Sequence, residues 1–266
     1  MRTVYRRLAA LVGLLLLAIL TIVFFAVAFH DGGGPPVLAV KTILVGLRRE
    51  GAVIVGADRL GRRVNVAGQP SLGGTHIKIV LHPTLPLAVA TSGVTELPPT
   101  QRSSVKYIQD VMQHLDNSAQ LRFRDIAQRV IDEVHPVVAR ARGGTTDAAL
   151  RDELQCEFVI ALVRADGRTE LGWLQIADRV RREPLPSVIS GPPHLETFYR
   201  SGKYEGEFLE GPLIEDPLKL AAHVRRVIQD GIREEARLRG GKKLRGDDSV
   251  DVAIVDAQGS RFMPLQ

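Results

Sequence analysis

The chain has 266 residues, with 35 Lys and Arg against 30 Asp and Glu, one cysteine and 5% aromatic residues. That length holds one domain with a proper core, and a single cysteine excludes an intrachain disulfide. Setting aside Arg2, Arg6 and Arg7 leaves 32 basic residues against 30 acidic, and the aromatics are few, so a nucleic-acid-binding surface is excluded.

Leu8 to Phe29 is a run of 22 residues without a charge, preceded by the three arginines. As a helix it is about 33 Å long, the thickness of a bilayer's hydrocarbon core. No Lys or Arg follows until Lys41. That asymmetry predicts a cytoplasmic N-terminus and a domain on the outer side. Residues 1–29 are therefore expected to be a single-pass membrane anchor, with membrane contact through residues 8–29. Ala26-Val27-Ala28 is also a small-x-small pattern that signal peptidase accepts. The alternative is a cleaved signal and a secreted or periplasmic protein. Residues 30–41 open with His-Asp-Gly-Gly-Gly-Pro-Pro and read as a linker or propeptide.

The remainder, 42–266, reads as one domain. Val37–Val45 and Gly51–Ala57 are apolar and β-branched, and predict two strands joined by a hairpin at Arg48-Arg49-Glu50-Gly51. Residues 61–75 are polar and Gly-rich and read as a loop. Ile77–Leu81 and Leu87–Thr91 predict two more strands, turning through His82-Pro83-Thr84-Leu85-Pro86. Apolar residues at helical spacing then predict helices over Ser103–Leu115 and Leu121–Arg142. Gly143-Gly144 ends the second, and Pro136 is a place where it kinks or stops. Strands are predicted again at Glu157–Val163, Glu170–Ile176 and Ser187–Ser190. A helix from Pro217 to Arg239 and a hairpin of Asp251–Val255 with Ser260–Met263 close the chain. Runs of strands followed by runs of helices predict an α+β fold with antiparallel sheets packed on helices.

Few residues carry metal or redox chemistry. Seven histidines are scattered without a pair at i, i+4, so no zinc site and no cofactor are expected. Cys156 sits in an apolar run and reads as a buried structural thiol. Thr42, Asp58, Lys78 and Gly93 form the one pattern that points to chemistry. Thr42 opens a strand, Gly46 follows four residues later, and Asp58-Arg59 lies sixteen residues after the threonine at the end of the next strand. Lys78-Ile79 and Thr91-Ser92-Gly93 follow.

This pattern resembles proteasome β-type subunits and their bacterial relatives among the N-terminal nucleophile hydrolases. The residue match is concentrated in 42–93, and the order of elements extends it over roughly residues 40–266. The resemblance implies a four-layer αββα sandwich of two antiparallel sheets. It implies Thr42 as nucleophile, Asp58 and Lys78 as its carboxylate and lysine, and Gly93 as the glycine whose N–H supports the oxyanion. Reaching Lys78 takes a four-residue insertion relative to the family, in a loop where insertion is tolerated. A peptide or protein substrate and assembly with copies of the same chain are also implied.

The chemistry accounts for the residue types. A threonine hydroxyl needs a base, and a free α-amine with a pKa near 7.7–8.0 serves at neutral pH. A neighbouring lysine lowers the local pKa by its charge, a carboxylate holds the lysine, and backbone N–H groups receive the oxyanion. Two positions depart from the family pattern. Lys41 precedes Thr42 where self-processing members generally carry glycine. Asp247, Asp248 and Ser249 do not keep the family's Asp-x-x-Ser spacing. The expected function is a threonine-type peptidase acting after removal of residues 1–41. The alternatives are a membrane-tethered, unprocessed and inactive domain with an assembly or binding role, and an amidase for small molecules.

Overall fold

The computed structural model describes residues 39–40, 43–64, 70–94, 96–97, 102–115, 121–146, 148–184, 196–199, 216–238 and 249–264. All of them belong to one unit, Val37–Gln266. The predicted anchor at 8–29 and the strand at 187–190 lie outside the described residues. Among the described residues no helix is long and apolar enough to cross a membrane.

In chain order the first strands are β1 (Ala39–Val40), β2 (Ile43–Arg49), β3 (Ala52–Asp58), β4 (Leu60–Val64), β5 (Pro70–Thr75), β6 (Ile79–Leu81) and β7 (Leu87–Val94). A short ladder of β8 (Glu96–Leu97) and β9 (Arg102–Ser103) leads to helices α1 (Ser104–Gln113), α2 (Phe123–Gly143) and α3 (Ala148–Glu153). Then come β10 (Cys156–Val163), β11 (Thr169–Ile176), β12 (Val180–Pro184), β13 (Glu196–Tyr199), α4 (Pro217–Leu238), β14 (Val250–Asp256) and β15 (Gly259–Phe262).

Two antiparallel sheets face each other. One runs β13-β2-β3-β14-β15; the other runs β1-β7-β10-β11-β12, with β6 also on β7. β3 and β10 are buried along their whole length. Each is covered on both faces, which is why Ala52–Ala57 and Phe158–Val163 read as unbroken apolar runs rather than alternations. Leu44, Val55, Ala90, Val159, Leu171 and Val255 fill the space between the sheets. Ile108 of α1 with Ile126 and Val130 of α2 cover the outer face of the β7–β10 sheet against Phe158 and Ile160. Leu220, Val224 and Ile228 of α4 cover the other outer face against Val45, Ile54 and Val252. The result is the four-layer αββα sandwich. Each fully buried Leu, Ile or Val contributes about 1.5–3 kcal/mol of apolar burial.

Four local readings are corrected. The stretch 37–45 is not one strand. β1 joins one sheet through Val40↔Gly93, and β2 joins the other through Leu44↔Ala57. The Gly-rich stretch 61–75 is not a loop throughout: β4 and β5 pair, with a register shift at Gly61/Arg62. Pro136 does not end α2, which continues to Gly143. Val134, Val138 and Ala141 stay buried on its inner face, so packing holds the helix past the missing N–H. Finally, Ile77 and Lys78 precede β6 rather than belonging to it.

Candidate active site

β3 ends at Asp58, where its ladder partner is Val250 of β14. On the facing sheet Lys78 stands just before β6, and its carbonyl accepts the backbone N–H of Thr91 at 2.8 Å. The pairing of β6 with β7 therefore fixes the Lys78 backbone, and its side chain bridges from one sheet to the strand end of the other. Lys78 Nζ donates to Asp58 Oδ1 at 3.0 Å. The two side chains are 1% and 3% exposed, and Lys78 is among the largest fully buried side chains of the described residues. A buried ammonium is tolerated only where a carboxylate receives it. Asp58 thus holds the Lys78 ammonium in one place, suited to tuning an adjacent hydroxyl or amine.

Gly93 lies near the end of β7, between Val40 of β1 and Cys156 of β10. Its φ is +93°, and a Cβ there would overlap the carbonyl oxygen of Gln155. Only glycine meets both conditions. Two residues earlier, the buried Thr91 hydroxyl donates to the buried Ser104 hydroxyl at 3.2 Å. That bond ties the first turn of α1 to the strand that carries Gly93. Ser103 caps the helix, accepting the Lys106 N–H at 3.1 Å.

A second ion pair borders Asp58. Arg59 donates through Nε to Asp251 Oδ2 at 2.8 Å and through Nη2 to Asp251 Oδ1 at 2.5 Å. Its backbone N–H donates to the Ser249 carbonyl at 3.2 Å. The Ser249 hydroxyl is buried with no hydrogen-bond partner among the described residues. Sequence reading missed Asp251 as a partner of Arg59. The two are 192 residues apart, and nothing local to either signals the pairing. It also missed Glu157 and Gln175, buried polar residues on the inter-sheet side of β10 and β11.

The structure thus brings Asp58 and Lys78 into contact, and it gives Gly93 a backbone that requires glycine. Thr42, Lys41, Asp247 and Asp248 lie outside the described residues. Among the described residues no group of three or more His, Cys, Asp or Glu is placed to hold a metal ion.

The fold is a proteasome-like α+β sandwich. The solved structure of Anbu (ancestral beta-subunit) from Yersinia bercovieri matches the chain with a TM-score of 0.50 at 16% identity, over 83% of this chain and 86% of that one. The likeness is one of fold. No family model matches the chain, and no curated protein matches it in sequence.

Proposed function

We propose that the chain is a proteasome-like threonine-type peptidase with Thr42 as nucleophile after residues 1–41 are removed. The buried Lys78–Asp58 pair, 3.0 Å apart, is the observation that carries this reading. It lies at the end of β3, the strand paired with β2, and Thr42 immediately precedes β2. Cleavage of the Lys41–Thr42 bond frees the Thr42 amine. The hydroxyl oxygen attacks the peptide carbonyl carbon while that amine, or a water beside it, takes the hydroxyl proton. The Lys78 ammonium lowers the cost of the charge that develops, and Asp58 holds Lys78 in place. The Gly93 N–H supports the oxyanion. Collapse of the tetrahedral intermediate expels the leaving amine with a proton. Water then hydrolyses the Thr42 ester and restores the hydroxyl.

β1 adds a consequence. Its pairing with Gly93 and Val94 means that Val40, ahead of the cleavage point, occupies the ladder position beside Gly93, and removal of residues 1–41 would clear it. With residues 8–29 as a membrane anchor and the domain on the outer side, the same cleavage would also release the domain. Assembly into a homo-oligomer belongs to this reading through the resemblance to proteasome-like proteins.

Lys41, in place of the glycine of self-processing relatives, favours a second reading: a tethered, uncut domain with an assembly or binding role. An uncharged electrophilic peptide probe separates the two. The peptidase reading expects a covalent adduct on a Thr42 that begins the chain, and none in Thr42→Ala. A chain that begins at Thr42 and takes up no probe contradicts it.

A further inference from the structure

The C-terminal end of α2 borders a cavity of about 310 Å³. His135 and Arg142 reach it from one face of the helix, seven residues apart. Arg151 lines it from α3, and Asp178 from the turn between β11 and β12. The rest of the lining is small. A Cβ on Gly143 would meet nothing within 4 Å, so the space is open to a compact ligand.

Donors outnumber acceptors there. Arg142, 7% exposed, spends Nε and one Nη2 N–H on the Asp178 carboxylate, at 2.6 and 2.8 Å. It spends Nη1 on the carbonyls of Arg151 and Leu154. Its second Nη2 N–H has no acceptor among the described residues. Arg151 donates to the Thr145 carbonyl at 2.7 Å and has no carboxylate partner among the described residues. The His135 ring makes no hydrogen bond among them. The carbonyls of the helix end are already taken. Gly144 N–H donates to Arg140, Thr145 Oγ1 to Ala141 and Thr145 N–H to Arg142. Asp178 is the one acid among the lining residues and is 72% exposed. The bond from Arg142 holds its carboxyl below the ordinary value, opposed in part by desolvation and reinforced by the charges of Arg142, Arg151 and Arg179. Arg142 and Asp178 cancel, so Arg151 and Arg179 leave two positive charges beside a concave site. Such a site concentrates anions.

We propose that this cavity binds inorganic phosphate. Arg151, His135 and the second Nη2 N–H of Arg142 donate to its unprotonated oxygens, and Asp178 accepts the proton of its P–O–H group. The two positive charges match the phosphate dianion present at neutral pH, which keeps one P–O–H. Sulfate is a dianion of the same shape without that proton, so its fourth oxygen meets the Asp178 carboxylate with nothing to donate. A site built to hydrogen-bond a hydroxyl rejects the analogue that lacks it. The phosphodiester of a lipid headgroup lacks it too, which separates free phosphate from a membrane surface as the source. Bound phosphate joins α2 to α3 and to the β11–β12 turn, and no part of this depends on Thr42.

The test is titration calorimetry on the purified protein at neutral pH, in a buffer free of phosphate and sulfate. Sodium phosphate is expected to half-saturate the site below about 1 mM, and sodium sulfate to bind at least about tenfold more weakly. Arg151→Met is expected to weaken phosphate by about tenfold or more. Asp178→Asn, which offers a donor where the carboxylate stood, is expected to bring sulfate within about twofold of phosphate. Phosphatidylglycerol vesicles are expected not to displace phosphate. No uptake of phosphate, equal affinity for the two ions, a preference that survives Asp178→Asn, unchanged binding in Arg151→Met, or displacement by the vesicles overturns the proposal. Should Asp178→Asn fail to fold, the contrast between the two ions in the parent protein and in Arg151→Met decides.

Discussion

Replacing Lys78 by methionine removes the ammonium and keeps most of the stem's volume. It leaves the Asp58 carboxylate, 3% exposed, without the cation that stood 3.0 Å away. At that distance and an effective dielectric of about 20, the direct attraction is about 5–6 kcal/mol. Part of it is offset by the desolvation of both groups. Removing one partner of a buried pair typically costs about 3–5 kcal/mol, because the other charge stays buried and uncompensated. Lys78→Met is expected to fall in that range. Lys78→Met combined with Asp58→Leu is expected to recover most of the loss, since an apolar pair of similar volume often matches a buried ion pair. The assay is guanidinium unfolding followed by Trp173, the single tryptophan, which packs against the inter-sheet core. A single-variant cost below about 1 kcal/mol is the signature of an exposed pair and would refute the reasoning. So would a double variant no more stable than Lys78→Met alone.

Gly93→Ala is expected to lose at least about 2 kcal/mol, from the φ of +93° and the overlap with the Gln155 carbonyl; an unchanged melting temperature would contradict this. Arg142, at the end of α2, donates to the carbonyls of Arg151 at 2.5 Å and Leu154 at 2.9 Å, and to Asp178. Arg142→Met removes the donor to the Leu154 carbonyl and leaves the Arg151 carbonyl only the Leu154 N–H at 3.1 Å, so a loss of about 2–3 kcal/mol and faster proteolysis within residues 143–154 are expected; unchanged cleavage of that segment would count against the clamp. Burial holds the His82 imidazole below its usual value, partly opposed by the bond to the Met112 carbonyl. Its Nδ1 accepts the N–H groups of Thr84 at 3.2 Å and Leu85 at 2.9 Å, and protonation there would break both. Below about pH 6.5 the unfolded chain therefore takes up a proton that the folded chain resists, and stability falls as pH falls, by up to about 1.4 kcal/mol per pH unit. His82→Gln is expected to flatten the slope between pH 7 and 5, with His223, also lowered by burial and by Arg226, supplying what remains; an identical slope in the variant would remove His82 from the account.

The parts of the fold that were legible in the sequence have a common cause. β3, β10 and β14 are sandwich-core strands, and their apolar runs are local. α1 and α2 show their buried stripes at helical spacing. What escaped depends on distant partners. Nothing within residues 37–45 tells that β1 and β2 serve different sheets, because apolar character is the same in both. β5 (Pro-Ser-Leu-Gly-Gly-Thr) has little strand propensity and exists through its ladder with β4. β12 (Val-Arg-Arg-Glu-Pro) is a charged strand at the end of its sheet's order, the composition that guards a sheet edge and hides it from a hydrophobicity reading. At the site, the sixteen-residue interval and the Lys-Ile pair pointed to Asp58 and Lys78 through resemblance. Their burial, and the support of Arg59 by Asp251, come from contacts between the sheets and along β14.

The central claim is that Thr42 becomes the first residue and the nucleophile. The most direct test is the intact mass and N-terminal residue of the protein purified from its native membrane or culture fluid, before and after treatment with the electrophilic probe. A chain that starts at Thr42 and gains one probe mass on that residue is expected. A chain that still carries residues 1–41, or one that starts at Thr42 and gains no mass, would contradict it.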